Sequence, residues 1–302
     1  MKKILVVGSL NMDFVIRVDA MPLAGQTVMG HDMTLVPGGK GANQAYAIGK
    51  LGGQVEMIGA VGNDVYGAAL KENLESVGVG TSGIEVLDGV PTGNAFISVD
   101  RNGENSITVV PGANAKLTRA MIDRHLDLID ACDIVVMQLE IPLEVVTYVK
   151  DLARARGKHI LLDPAPAQAG LTKEFFEGFD IVKPNETELQ CLVGQELHTK
   201  EELAAGARTL LEQGMEAVLV TLGGDGVLLV TKQTCEAFPA KKVKAVDTTA
   251  AGDSFTAAFV VACSKGASYS DAIRLGSEVA AVVVTRKGAQ TSIPTLEEVQ
   301  NL

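Results

Sequence analysis

The chain has 302 residues, 47% of them hydrophobic, enough for one large α/β unit or two smaller ones and too apolar for global disorder. Its formal net charge of −11 argues against nucleic acid or an anionic membrane as a main partner, so an anionic substrate requires a local positive site. No apolar run reaches the roughly 18 residues of a membrane span. The four cysteines and four histidines show no metal-ligand spacing, which fits a reducing cytoplasm.

In chain order, the first apolar run, "KILVVGS", reads as a strand and not as part of a signal peptide, because Asn11 and Asp13 follow at once. The segment "DFVIRVDAMPLAGQTVMGHDMTLVPGG" alternates apolar and polar residues, as does "NAFISVDRNGENSITVV" around an Asn102-Gly103 turn. Both are expected to be half-exposed antiparallel strands. Together they predict a β lid over about residues 11–37 and 92–110, whose exposed face suits a partner subunit. "VEMIGAVG", "DIVVMQ", "HILLD", "DIVKP" and "AVLVTLG" are continuous apolar runs, as in parallel strands buried on both faces. "AMIDRHLDLID", "LEVVTYVKDLARARG" and "KEELAAGARTLLEQG" carry helical spacing, and the last two close on glycine. The alternation predicts one α/β domain over 1–302, doubly wound around a mainly parallel sheet flanked by helices.

Three familiar signatures are missing. "GGKGANQA" fails the Walker spacing, no G-x-G-x-x-G follows the first strand, and G-x-S-x-G does not occur. Polar groups at strand ends remain, where open α/β sheets bind ligands. Asn11 and Asp13 stand two apart in an extended segment and face one side, or else form an Asx turn. "PGGKGANQA" opens a helix on a glycine loop, with Lys40 and Asn43 within one turn and Gly38, Gly39 and Gly41 permitting close backbone approach. Glu140 ends a strand. In "KPNETE", Asn185 and Glu188 have capping-box spacing, which capping alone explains. "VTLGGDG" reads as a β-turn.

The stretch "DTTAAGDSF" is harder to explain structurally. A helix opening near Gly252 presents the free N–H groups of Ala251, Gly252 and Asp253, and the small side chains leave room for an anion on them. Phe255, Ala258, Phe259 and Ala262 fall at helical spacing and anchor that helix in the core. A dipole-complementing acid accounts for Asp253 but not for the small run before it.

These motifs, with "MQLE", "DPAPA" and "VTRKGAQTSIP", occur in the order seen in the ribokinase-like (PfkB) carbohydrate kinases, which the chain resembles from its first strand to near its C-terminus. The resemblance implies ATP-dependent phosphorylation of D-ribose at the 5-hydroxyl, in a cytoplasmic homodimer joined through the β lid. By motif, Asp253 is the implied base and Ala250, Ala251 and Gly252 the anion hole. Asn11, Asp13, Gly39, Lys40, Asn43 and Glu140 are the implied sugar ligands. Asn185, Thr221, Gly223, Asp225, Gly226, Gly252 and Ser277 are expected at the nucleotide, and Glu188 at Mg²⁺ through water. A monovalent cation, usually K⁺, is implied at Asp247, Thr249, Val283, Arg286, Gly288 and Ser292. Met12 departs from the small residue often found there and bears on the sugar chosen. The alternatives are a kinase for 2-deoxyribose, fructose or adenosine, or a sugar sensor without catalysis.

Overall fold

A computed structural model describes residues 1–301. Nine strands form one sheet in the order β13-β12-β11-β10-β9-β8-β1-β4-β5. Of these, β1 (Ile4–Val7), β4 (Val55–Gly62), β5 (Gly80–Leu87), β8 (Ile134–Met137), β9 (His159–Leu162), β10 (Ile181–Val182) and β11 (Ala217–Thr221) run parallel. The edge pair β12 (Val227–Thr231) and β13 (Cys235–Phe238) is antiparallel. Strand β1 shows why the central runs are apolar throughout. Ile4 and Val6 join the core on one face while Leu5 and Val7 join the core on the other, so every position is buried. Helices Lys40–Lys50, Ala251–Ser264 and Tyr269–Val283 cover the first face, and Leu143–Ala155 and Lys200–Leu211 cover the second. That is the doubly wound arrangement.

A second sheet has the order β3-β2-β6-β7, from β2 (Asn11–Val18), β3 (Gly30–Gly38), β6 (Gly93–Val99) and β7 (Asn105–Val110). The hairpins β2–β3 and β6–β7 are antiparallel, but β2 and β6 pair in parallel. Both expected hairpins are antiparallel, and connectivity explains the parallel junction between them. β2 leaves the main sheet directly after β1 and β6 leaves it after β5, and β1 and β5 run the same way. The turn between β6 and β7 spans residues 100–104, longer than Asn102-Gly103 alone. The Asp100 carboxylate ties it by accepting from the Asn102 and Glu104 amides at 2.8 and 3.0 Å.

Three further expectations shift. "DIVKP" yields only two paired residues in β10, and "AMIDRHLDLID" divides into helices Arg119–Asp123 and Leu126–Ala131. Strands β5, β12 and β13 lie outside the runs singled out above, although β12 carries the buried apolar run Val227–Val230. The helices ending near Gly157 and Gly214 do close on positive-φ glycine.

Candidate active site

The parallel strands all end on one side, and the polar residues just beyond them converge there: Ser9 after β1, Gln138 and Glu140 after β8, Asp163 after β9, Lys183 and Asn185 after β10. Helices Lys40–Lys50 and Ala251–Ser264 start at the same level and pack against each other.

On the lid side, Asn11 and Asp13 occupy alternate positions of β2 opposite Gly38 and Val36 of β3. A Cβ on Gly38 would overlap the Asp13 carboxylate, so that position must be glycine. Buried Asn114 donates from Nδ2 to Asn11 Oδ1 at 2.8 Å and to the Leu10 carbonyl at 3.0 Å, while its Oδ1 accepts from the Leu10 amide. This leaves the Asn11 amide nitrogen free to donate into a cavity of about 590 Å³ that Asn11 shares with Glu140. Glu140 is held by the Ser9 hydroxyl and by the Lys40 amide at 3.0 Å. It is therefore a fixed group and not a solvated strand end.

Asp253 lies in the first turn of helix Ala251–Ser264 and is 6% exposed. Asn43 Nδ2 donates to its Oδ2 and Gln44 Nε2 to its Oδ1, each at 3.0 Å. Beneath it, Lys183 Nζ and Asp163 Oδ2 form a buried ion pair at 3.1 Å. The electrostatics record this crowding. Burial, with the Glu140 and Asp253 carboxylates nearby, pushes Asp13 up to about 7, and its Oδ1 makes no hydrogen bond among the described residues. Burial opposes the charge on Lys40, but Asp253, Asp163 and Glu140 outweigh it and hold the ammonium above its ordinary range. Thus Asn11, Asp13, Gly39, Lys40, Asn43, Glu140 and Asp253 lie close together at the strand ends.

The helix mouth is tighter than expected. Ala250 caps it at φ 59, the one non-glycine residue with positive φ among those described, a conformation costing roughly 1–2 kcal/mol. The Ala251 amide turns back to the Thr248 carbonyl at 3.2 Å, closing that turn. Two free amides, Gly252 and Asp253, remain instead of three. A Cβ on Gly252 would meet only Lys183 Nζ, at 3.6 Å, so the lysine stands next to those amides. They open on a cleft of about 570 Å³ lined by Asn185, Thr221, Gly223, Gly226 and Ser277, among others. Asp225 differs from the expectation. Its side chain is exposed and faces Lys242 at 3.6 Å, because the short 3₁₀ turn Gly223–Asp225 directs it outward.

Residues 1–296 match the family described as pfkB family carbohydrate kinase. The chain belongs to the pfkB family of carbohydrate kinases. This pfkB kinase is 39% identical to a ribokinase of Haemophilus influenzae, with 98% of this chain and 97% of the relative covered. It is 36% identical to a deoxyribokinase of Salmonella typhi, with 98% and 96% covered. The solved structure of Arabidopsis thaliana ribokinase complexed with ribose and ATP superposes with a TM-score of 0.94 at 32% identity, covering 99% and 98% of the two chains.

In this kinase the loop before the helix is tied to the segment after Val283. Asp247 Oδ1 accepts from the Thr249 amide and hydroxyl, Oδ2 accepts from the Gly288 amide at 3.0 Å, and the Val284 carbonyl accepts from the Val246 amide. Burial raises the Asp247 pKa, but these bonds outweigh it and hold the carboxyl below its ordinary value. Arg286 directs its guanidinium to Glu298, and Ser292 Oγ bonds the Ala289 carbonyl. Asn185 and Glu188 form the reciprocal capping box that their spacing predicts.

Sequence reasoning passed over Gln44, Asn114, Gln138 and Lys183. Lys183 carried a signal, since it ends a strand adjacent to the one ending in Asp163. The amides carried none, because neutral polar residues in buried elements look alike until their partners are placed.

Proposed function

We propose that the chain transfers the γ-phosphoryl group of ATP to the 5-hydroxyl of D-ribose, giving ribose 5-phosphate and ADP, with Asp253 as base. The observation carrying this reading is the juxtaposition at one helix mouth of a buried, doubly held carboxylate and two free amides open to a nucleotide-sized cleft. The relatives named ribokinase, and the one described with ribose and ATP, support the substrate pair.

Phosphoryl transfer asks for position and charge stabilisation more than covalent chemistry. Asn11, Asp13, Asn43 and Glu140 orient the sugar, and Asp253 takes the proton as the hydroxyl attacks in line. The Gly252 and Asp253 amides, with Lys183 beside them, accept charge developing on the phosphoryl oxygens. One such donor contributes about 3 kcal/mol. Glu188 fits a water-mediated Mg²⁺ role, because Oε2 is taken by the Asn185 amide and Oε1 is left. Burial and Asp163 push its pKa up, which a cation offsets. Bound Mg²⁺ supplies charge neutralisation on the polyphosphate. The oxygen-rich crossing of the Asp247–Thr249 loop with the Val283–Gly288 segment suits K⁺, with Arg286 contributing only its carbonyl. The apolar face of the lid supports a homodimer, and the use of ATP supports a cytoplasmic location.

A coupled assay of ADP release over ribose, 2-deoxyribose, fructose and adenosine tests the substrate. Highest kcat/KM with ribose is expected, and a preference for 2-deoxyribose would move the chain to the deoxyribokinase side. Asp253→Asn is expected to keep ribose and ATP binding and lose turnover by about 10²- to 10⁴-fold. Near-normal turnover in that variant sinks the base assignment.

A further inference from the structure

We infer that Gln44 is the positioning residue for Asp253, holding the base in one orientation and joining it to the Asp163–Lys183 pair beside the phosphoryl site. The inference rests on the reading of Asp253 as base. Gln44 is fully buried in helix Lys40–Lys50, so it meets neither sugar nor solvent. Its single amide nitrogen carries two hydrogens, and both are used: one on Asp253 Oδ1 at 3.0 Å, the other on Asp163 Oδ2 at 2.8 Å. The amide cannot be turned over. Gln138 Nε2 donates to Gln44 Oε1 at 2.6 Å, and the reversed amide would set an oxygen against two carboxylates. On the other carboxylate oxygen sits Asn43, whose own Oδ1 is held by Gln290 Nε2 at 3.0 Å. Asn43 is shared with the sugar site. Gln44 is the restraint that substrate does not compete for.

The arrangement performs two physical tasks. With Asn43 on Oδ2, the donor on Oδ1 fixes the plane of the Asp253 carboxylate, so the oxygen that accepts the proton is held in position. The same NH₂ group separates Asp253 from Asp163, whose charge Lys183 balances at 3.1 Å. The other charged groups acting on this centre are Asp13 from β2, Lys40 from the same helix as Gln44, and Glu140 after β8. Glu188 acts on its far side, through Asp163, Lys183 and Lys40.

Gln44→Met keeps length and apolar bulk and removes both donors. Expected are a kcat lower by about 10- to 100-fold and a ribose KM within about threefold of wild type. Gln44→Glu, which sets a third carboxylate against Asp253 and Asp163, should lower kcat further. A purely structural role predicts a lower Tm with wild-type kcat and KM in the folded enzyme, and that result overturns the proposal. Should Gln44→Met fail to fold, Gln138→Met carries the test, since it removes only the group that orients the amide. A fall in kcat with a ribose KM within about threefold of wild type is expected there, and a wild-type kcat overturns the proposal. The two readings separate cleanly. An active Asp253→Asn removes the base itself, whereas an inactive Asp253→Asn beside a wild-type-like Gln44→Met removes only the role of Gln44.

Discussion

In the central sheet, β1 reads Ile-Leu-Val-Val and β8 reads Ile-Val-Val-Met, and all eight residues are buried; in the lid, β7 reads Asn-Ser-Ile-Thr-Val-Val and all six are exposed. Met33, Leu35, Phe96, Ile107, Val109 and Val110 leave large apolar side chains open on that second sheet. The core sheet has helices on both faces, so its strand ends, and the site built on them, are fixed by packing. The lid has no helix over its outer face, and it brings Asn11 and Asp13 to the site from a sheet that needs covering by something else. We propose that a second copy covers it. Asn43, Glu140 and Asp253 are thus set by the core sheet and its helices, whereas Asn11 and Asp13 come from the lid sheet.

The sharpest way to break this comparison is at the floor. Gly252→Ala adds a methyl whose only neighbour is Lys183 Nζ at 3.6 Å, an ordinary contact, so the fold is expected to hold. The phosphoryl group has no such tolerance, and kcat should fall by about 10²-fold with Tm unchanged. An equal loss of stability and rate would mean the position is structural.

Next in size is the contrast between two phenylalanines. Phe259 is buried beneath the site, and Phe259→Ala is expected to cost about 3–5 kcal/mol in denaturant unfolding. Phe96 is 42% exposed on the lid, and Phe96→Ala should cost well below that in the monomer. Similar losses at both sites would show that the lid is as tightly packed as the core. Introducing charge on the lid, as in Ile107→Glu with Val109→Glu, should yield a folded monomer by light scattering with a raised ribose KM. A monomeric wild type would detach the lid from any partner.

Smaller effects come from ionisation. Because the folded pKa of Asp13 lies near 7 and its ordinary value is 3.8, the folded state binds the proton more tightly than the unfolded chain. The contribution of Asp13 to the stability of the unliganded protein should therefore be fullest below about 4 and be lost as pH rises through 7. Ribose kcat/KM should rise over the same upper range, as the carboxylate becomes able to accept from sugar hydroxyls. Asp13→Asn should flatten both curves, and persistence of the stability slope would place its origin elsewhere. The least effect is expected from exchanging K⁺ for Na⁺. Activation should fall with Na⁺ and be lost in Asp247→Ala, whereas indifference to the cation removes Asp247 and Thr249 from the site.

Much of the floor was legible because short-range physics constrains it. The "ILVV"-type runs could only be doubly buried strands, Asn185 and Glu188 capped their helix as spaced, and Asp253 stood in the first turn it was expected to occupy. The errors share one cause, which is that bond partners are not a local property. The Ala251 amide, expected free, is closed onto Thr248, and Asp225, expected at the cleft, faces Lys242.

By itself, then, the amino-acid sequence determined the α/β alternation, the lid segments, the family and the acid at the helix mouth, because periodicity, capping and small-residue runs act over a few residues. Only the tertiary structure decided which neutral amides serve the charged groups. Gln44 lies 209 residues from Asp253 and 119 from Asp163 along the chain. A buried donor must find its acceptor in space, and the folded helices and strands alone bring these three together.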